Sequence, residues 1–378
     1  MKVVVAIDSL KGSLSSLEAG KAIEEGIKRV DETVEVVVRP LADGGEGTVE
    51  ALVAGMHGTL HELEVMGPLQ DKVMSQYGII ESSHTAIIEM ASAAGITLVA
   101  PEKRNPLKTT TYGVGEMIKD AINKGCRRFI IGIGGSATND GGVGMLQALG
   151  YDFLDADGKS IALGAQGLAS LVTINDQHVI PQLKECHFKI ACDVNNPLCG
   201  ELGSSAVYGP QKGATPEMIK QMDQWLNNYA ILAAKHYPGS DASIPGTGAA
   251  GGLGFAFLTF TNAVLKSGIT IILEETRLKD YLKDADLVIT GEGRLDFQTA
   301  MGKAPIGVAR LAKLAQIPVI AFAGSVSKDA GECNQQGIDA FFPIVRGITT
   351  LEEAMDHDNA KNNLRDSVEQ VFRLWSLK

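Results

Sequence analysis

Both ends of the chain repeat one hydrophobic pattern: a short run of consecutive apolar residues, a polar or glycine-rich stretch, then apolar residues at helical spacing. Residues 3–7 predict a buried strand, 8–13 a polar loop and 17–30 a helix. Residues 34–38 predict a second strand, which feeds Ala42-Asp43-Gly44-Gly45-Glu46-Gly47-Thr48 and a further helix. This β-loop-α order predicts a parallel sheet with ligands at the carboxyl ends of its strands. The order then breaks, because residues 60–66, 73–80 and 85–90 are strand-like with no helix between them, which predicts antiparallel hairpins. From Asp286 the first pattern returns, with strands at 287–290, 318–323 and 340–345, a helix at 305–315 and a closing amphipathic helix at 351–374. The expected fold is α/β: a split Rossmann-like doubly wound domain, residues 1–65 and 285–378, with a large inserted mixed α/β domain, residues 66–284. An interdomain cleft is the expected site.

A length of 378 residues suits two domains. With 34 Lys plus Arg against 45 Asp plus Glu, a formal charge of −11 and no basic stripe, nucleic acid is not an expected partner. Residues 3–7 are too few to span a bilayer, and Asp8 ends them before a signal-peptide core forms, so no membrane partner is expected and the protein reads as cytoplasmic. Five cysteines without a CxxC spacing suggest neither zinc nor a disulfide framework. Nothing in the sequence sets the oligomeric state.

Five stretches carry candidate chemistry. In Asp8-Ser9-Leu10-Lys11-Gly12-Ser13 a lysine can neutralise a phosphate or carboxylate and the serines can donate to it; equally, Ser13 or Ser15 caps the following helix. In residues 42–48 the glycines allow close anion approach, Asp43 and Glu46 can hold Mg²⁺ or take a proton, and Thr48 can cap a helix. Ile130 to Gly144 runs from a strand into Gly134-Gly135-Ser136-Ala137-Thr138-Asn139-Asp140-Gly141-Gly142, whose N–H groups suit a phosphate. Asp193, Asn195 and Asn196 end another apolar run, where Asn196-Pro197 also reads as a plain turn. Glu292, Arg294 and Asp296 alternate after the apolar run at 287–290.

Two stretches mimic a dinucleotide fingerprint. Residues 132–137 fit GxGxxA with Asp155 beyond, and residues 246–251 fit GxGxxG with Glu274 beyond. Asp140 would set a carboxylate beside a pyrophosphate, which favours a magnesium nucleotide over NAD. No GxxxxGK[ST] occurs, and Gly302-Lys303-Ala304 is the nearest approach.

Taken in order, these stretches resemble the glycerate kinase family that includes bacterial glycerate 2-kinases. The motifs span the chain: DSLKGS at 8–13, ADGGEGT at 42–48, GIGGSATNDGG at 132–142, ACDVNNPL at 191–198, YGPQKGA at 208–214, GAAGGLG at 248–254 and VITGEGRLDFQT at 288–299. Leu10 stands where the family often has phenylalanine.

The resemblance implies ATP-dependent, Mg-dependent phosphorylation of D-glycerate at the 2-hydroxyl, in glycolate, glyoxylate or aldarate breakdown. On that reading Lys11 and Arg294 neutralise anionic groups, and Asp193 or Asp296 deprotonates the hydroxyl. Asp8, Ser9, Asp43, Gly44, Glu46 and Asn195 bind substrate. Gly134, Gly135, Ser136, Asp140, Gly141, Gly251 and Gly252 bind the nucleotide, and Asp43 and Glu292 bind the metal. The alternatives are an NAD-dependent oxidoreductase of a small hydroxy acid, or a non-catalytic sugar-acid binding protein.

Overall fold

A computed structural model describes residues 1–42, 45 and 47–377. Its strands are β1 (Lys2–Val5), β2 (Glu35–Val38), β3 (Thr59–Met66), β4 (Lys72–Ile80), β5 (Thr85–Glu89), β6 (Arg128–Gly132) and β7 (Asp152–Leu154). They continue with β8 (Thr173–Asn175), β9 (His187–Ala191), β10 (Ala263–Lys266), β11 (Leu287–Leu295), β12 (Val319–Val326) and β13 (Ala340–Pro343). Contacts group the chain into two units, one of Met1–Asp43, Glu50–His57 and Ile269–Lys378, the other of Gly44–Val49 and Gly58–Gly268. The sequence set the crossings at 65/66 and 284/285.

In the first unit the strand order is β13-β12-β11-β1-β2, and every pairing is parallel. Strand alternation explains how this sheet is covered on both faces. Val3, Val5, Ile7, Leu287, Ile289 and Phe322 share a core with the helices Ser16–Lys28 and His357–Trp375. Val288 and Val319, also fully buried, occupy the alternate positions of β11 and β12, on which Ala304–Leu314 packs. The chain order turns back between β1 and β11, the switch point at which open α/β sheets bind ligands.

The second unit has a mixed sheet, β10-β9-β6-β5-β4-β3. β5, β6, β9 and β10 run parallel, whereas β3-β4 and β4-β5 pair antiparallel, as the missing helices predict. β3 therefore belongs to this sheet. The core joins Phe129, Ile131, Phe188 and Ile190 of the sheet to Met117, Leu146, Leu226, Phe255 and Phe257. Among the described residues no helix is long and apolar enough to cross a membrane.

Two expectations need correction. β11 continues through Gly291-Glu292-Gly293-Arg294-Leu295, beyond the strand end expected at residue 290, because β12 pairs with it as far as Leu295↔Val326. The closing helix is two helices, Leu351–Met355 and His357–Trp375, broken where the Asp356 side chain caps the second by accepting from the Asn359 N–H.

Candidate active site

At the switch point of the first unit, Asp8, Ser9, Lys11, Ser13, Glu292, Arg294, Asp296, Lys303 and Ser325 line a cleft of about 430 Å³, with Leu351 and Met355 forming an apolar wall. Asp8 follows β1 and is buried, and its Oδ1 accepts from the Ser9 N–H at 2.7 Å. Ser15 resolves the capping question: it forms a capping box with Glu18, while Ser13 Oγ donates to the Leu10 carbonyl. Lys11 is exposed.

The strand period of two places Glu292 and Arg294 on one side of β11, opposite Ala323 and Ser325 of β12. Glu292 is buried; its Oε1 accepts from Thr299 Oγ1 at 2.6 Å, and its Oε2 lies 4.0 Å from Lys303 Nζ. Asp296 caps the turn at Phe297–Ala300, its Oδ1 accepting from the N–H groups of Gln298 and Thr299. Its Oδ2 faces Arg294 Nε at 3.6 Å, and Arg294 stays two-thirds exposed. The cleft thus mixes three cations with three carboxylates, a composition suited to a multiply anionic ligand.

The second unit gathers another group of predicted residues in the loops after the carboxyl ends of β6 and β9. Gly134 and Gly135 are exposed and Ser136 nearly buried. Beyond them the stretch turns inward. Asp140, expected to face a nucleotide, is interior: it accepts from Thr111 N at 2.8 Å, Thr111 Oγ1 at 2.9 Å, and the N–H groups of Gly142 and Gly144. Burial nevertheless pushes its carboxyl above the usual range. Asn139 bonds Ser204 and Ser205.

Gly141, Gly251 and Gly252 are likewise spent on packing. The Gly141 N–H donates to the Gly251 carbonyl at 2.9 Å. A Cβ on Gly251 would lie 2.0 Å from the Thr138 carbonyl oxygen, and one on Gly252 2.8 Å from Gly141 Cα, so both glycines serve close backbone approach at positive φ.

Asp193 is exposed and accepts from the Gly268 N–H at 3.1 Å; Asn195 is exposed. Asn196 braces its turn, donating to the Leu202 carbonyl and accepting from Tyr208. The candidates Asp43, Gly44 and Glu46 lie outside the described residues. Thr48 does not cap through its hydroxyl, which donates to the Gly45 carbonyl. Among the described residues no three His, Cys, Asp or Glu side chains converge to hold a metal.

Neither dinucleotide fingerprint has its required setting. After the first, the helix Val143–Ala148 has only six residues, and Asp155 follows the antiparallel β7 and closes a tight turn by accepting from Asp157 and Lys159. The second follows turns rather than a strand, and Glu274 lies in the helix Gly268–Glu275.

Two residues escaped the sequence reading. Lys303 reaches the cleft from just before the helix Ala304–Leu314, at the very place where the sequence came nearest to a Walker A lysine. Lys212, only 2% exposed, donates to Ser136 Oγ at 2.9 Å and to the Thr138 carbonyl at 2.6 Å. Burial lowers its pKa to about 7, against the opposing pull of Asp140. Its position in the matched stretch YGPQKGA was visible, but no periodicity marks a loop lysine as buried.

Residues 3–376 match the model of the glycerate kinase family. A glycerate kinase of Haemophilus influenzae is 52% identical over 378 residues, covering 100% of both chains. A glycerate 2-kinase of Escherichia coli is 48% identical over 354 residues, covering 94% of this chain and 93% of its own. A crystal structure described as glycerate kinase 2 from Salmonella typhimurium LT2 superimposes with a TM-score of 0.92 at 47% identity, covering 100% of this chain and 98% of that one.

Proposed function

The chain belongs to the glycerate kinase family, and from that premise we propose that it transfers the γ-phosphoryl group of magnesium ATP to the 2-hydroxyl of D-glycerate. Its activity is that of a glycerate kinase, with ATP the co-substrate the family implies. The observation that supports the finer reading is the switch-point cleft, where Lys11, Arg294 and Lys303 stand beside Asp296. Phosphoryl transfer asks a protein for positioning and charge neutralisation more than for covalent chemistry, and these side chains supply both.

In this reading Arg294 holds the glycerate carboxylate while Lys11 and Lys303 neutralise the transferring phosphoryl group. Asp296 takes the hydroxyl proton through Oδ2, since Oδ1 is committed to the cap. A base 3.6 Å from the arginine suits the 2-hydroxyl, which is carried on the carbon next to the carboxylate, better than the 3-hydroxyl. Asp8, Ser9 and Ser13 complete the substrate's surroundings. Gly134, Gly135 and Ser136 engage the nucleotide, with Asp140, Gly141, Gly251 and Gly252 shaping that loop from within.

Magnesium bound to ATP keeps most of its shell as water and phosphate oxygens and needs only one or two carboxylates. Glu292 fits that demand: its carboxyl group is oriented by Thr299, and Lys303 sits at the edge of contact with its second oxygen. Bound there, the ion would neutralise charge developing on the phosphates. Dependence on ATP points to a cytoplasmic reaction. Purified protein given D-glycerate and ATP should release ADP with Mg²⁺ and not with excess EDTA, and should reduce no NAD. ADP release undiminished by EDTA removes the metal; NADH formation removes the kinase.

A further inference from the structure

We propose that Ser136 donates its hydroxyl proton to an anionic oxygen of the bound nucleotide, and that the buried ammonium of Lys212 orients and polarises that hydroxyl from behind. In its ammonium form Lys212 carries three donors and no acceptor, so in the 2.9 Å contact the Ser136 oxygen accepts. The serine's one proton must then point elsewhere. Among the described residues no protein group accepts it. Ser136 is 8% exposed, and its neighbours Gly134 and Gly135 are open to solvent, so the unused direction is outward through the loop surface.

A hydroxyl that accepts from a cation is a stronger donor through its own proton, because hydrogen bonds in a chain polarise one another. The ligand that matches is rich in acceptors and negatively charged. A phosphate suits the place better than a carboxylate, since the glycine backbone beside Ser136 leaves room for a tetrahedral group of oxygens to approach closely. Lys212 itself is held by Ser136 Oγ and the Thr138 carbonyl and is enclosed by protein, so it is a positioning residue that acts through the serine. This inference rests on the kinase reading, in which residues 134–136 engage ATP.

The test is steady-state kinetics of S136A, S136T, K212M and the double variant S136A/K212M with D-glycerate and magnesium ATP. S136A should raise the KM for ATP about tenfold or more with a much smaller change in kcat, as the loss of one charge-assisted hydrogen bond implies. S136T, which keeps the hydroxyl, should recover most of that loss. K212M should move the same constant in the same direction, and the double variant should be no worse than S136A, because both changes remove one interaction.

A rise confined to the KM for glycerate overturns the nucleotide assignment. Unchanged KM values, with or without a fall in kcat, overturn the donor itself, and additive losses overturn the role of Lys212. Should K212M fail to fold, as thermal melting would reveal, the serine variants decide the matter. Wild-type protein that releases no ADP with glycerate indicts the kinase reading alone; calorimetric binding of ATP to wild type and S136A then tests Ser136 directly, equal affinities overturning it.

Discussion

The hydroxyl of Thr299 donates to Glu292 Oε1 at 2.6 Å, so a buried carboxylate near the end of β11 is fixed by the turn that begins just beyond that strand. Thr299→Val removes this bond and the bond that the Asp296 N–H gives to Thr299 Oγ1. The change should cost about 1–3 kcal/mol by thermal or urea unfolding, as for a lost bond to a charged group. Thr299→Ser should retain most of the stability. Equal stability of the valine variant would remove Glu292 from the set of fixed groups.

Arg294 lies 3.6 Å from Asp296 but is two-thirds exposed, so the pair contributes little to folding. Arg294→Gln should leave stability within about 0.5 kcal/mol of wild type. It should nevertheless lower kcat/KM by about two powers of ten, the scale expected when a charge-stabilising donor is lost. Kinetics and melting on one preparation separate the two; a stability loss without an activity loss would make Arg294 structural.

Asp296→Asn keeps an oxygen able to cap Phe297–Ala300, and asparagine caps nearly as well as aspartate. Its fold should persist while kcat falls by about two to four powers of ten, the usual loss of a general base. Asp193→Asn is the control. A loss of that size in Asp193→Asn with normal turnover in Asp296→Asn would transfer the role to Asp193.

Asp140 accepts from the Thr110 and Thr111 hydroxyls and from the N–H groups of Thr111, Gly142 and Gly144 with no exposed edge, so Asp140→Asn sets an amide NH₂ against N–H groups. Unfolding should show a loss of about 3 kcal/mol or more, as when a buried charged partner is removed. A variant as stable as wild type would mean the loop is organised by other groups.

Glu18 is held down to about 2, from an ordinary 4.5, first by hydrogen bonds from Ser15 and then by His357, and His357 is raised from 6.5 by Glu18 and then Asp358. A lowered carboxylate stabilises above 4.5 and loses that contribution as pH falls toward 2. A raised histidine stabilises below 6.5 and loses its contribution as pH rises through its folded value. The Tm gap between wild type and Glu18→Gln should therefore be widest near about pH 5.5, narrower at about pH 8.5, and shrinking below about pH 4.5 until it closes below about pH 2. A gap independent of pH would show that the capping box contributes without its charge.

Periodicity revealed the split α/β fold because Val3 to Ile7 and Leu287 to Ile289 are apolar throughout, as suits strands buried on both faces. The extension of β11 was present in the alternation of Glu292, Arg294 and Asp296 but hidden by glycines that usually end strands. The inward turn of Asp140 was not legible, since its partner Thr111 lies far upstream and no local rule joins them. Lys212 was hidden for a related reason: only tertiary packing encloses a lysine that composition reads as solvated.

The most direct test of the central claim is the ³¹P spectrum of the product formed from D-glycerate and magnesium ATP. Phosphate on the 2-hydroxyl couples to one methine proton and gives a doublet beside the signals of ADP, which is the predicted result. A triplet, from phosphate coupled to the two protons of C3, or no phosphorylated glycerate at all, would contradict it.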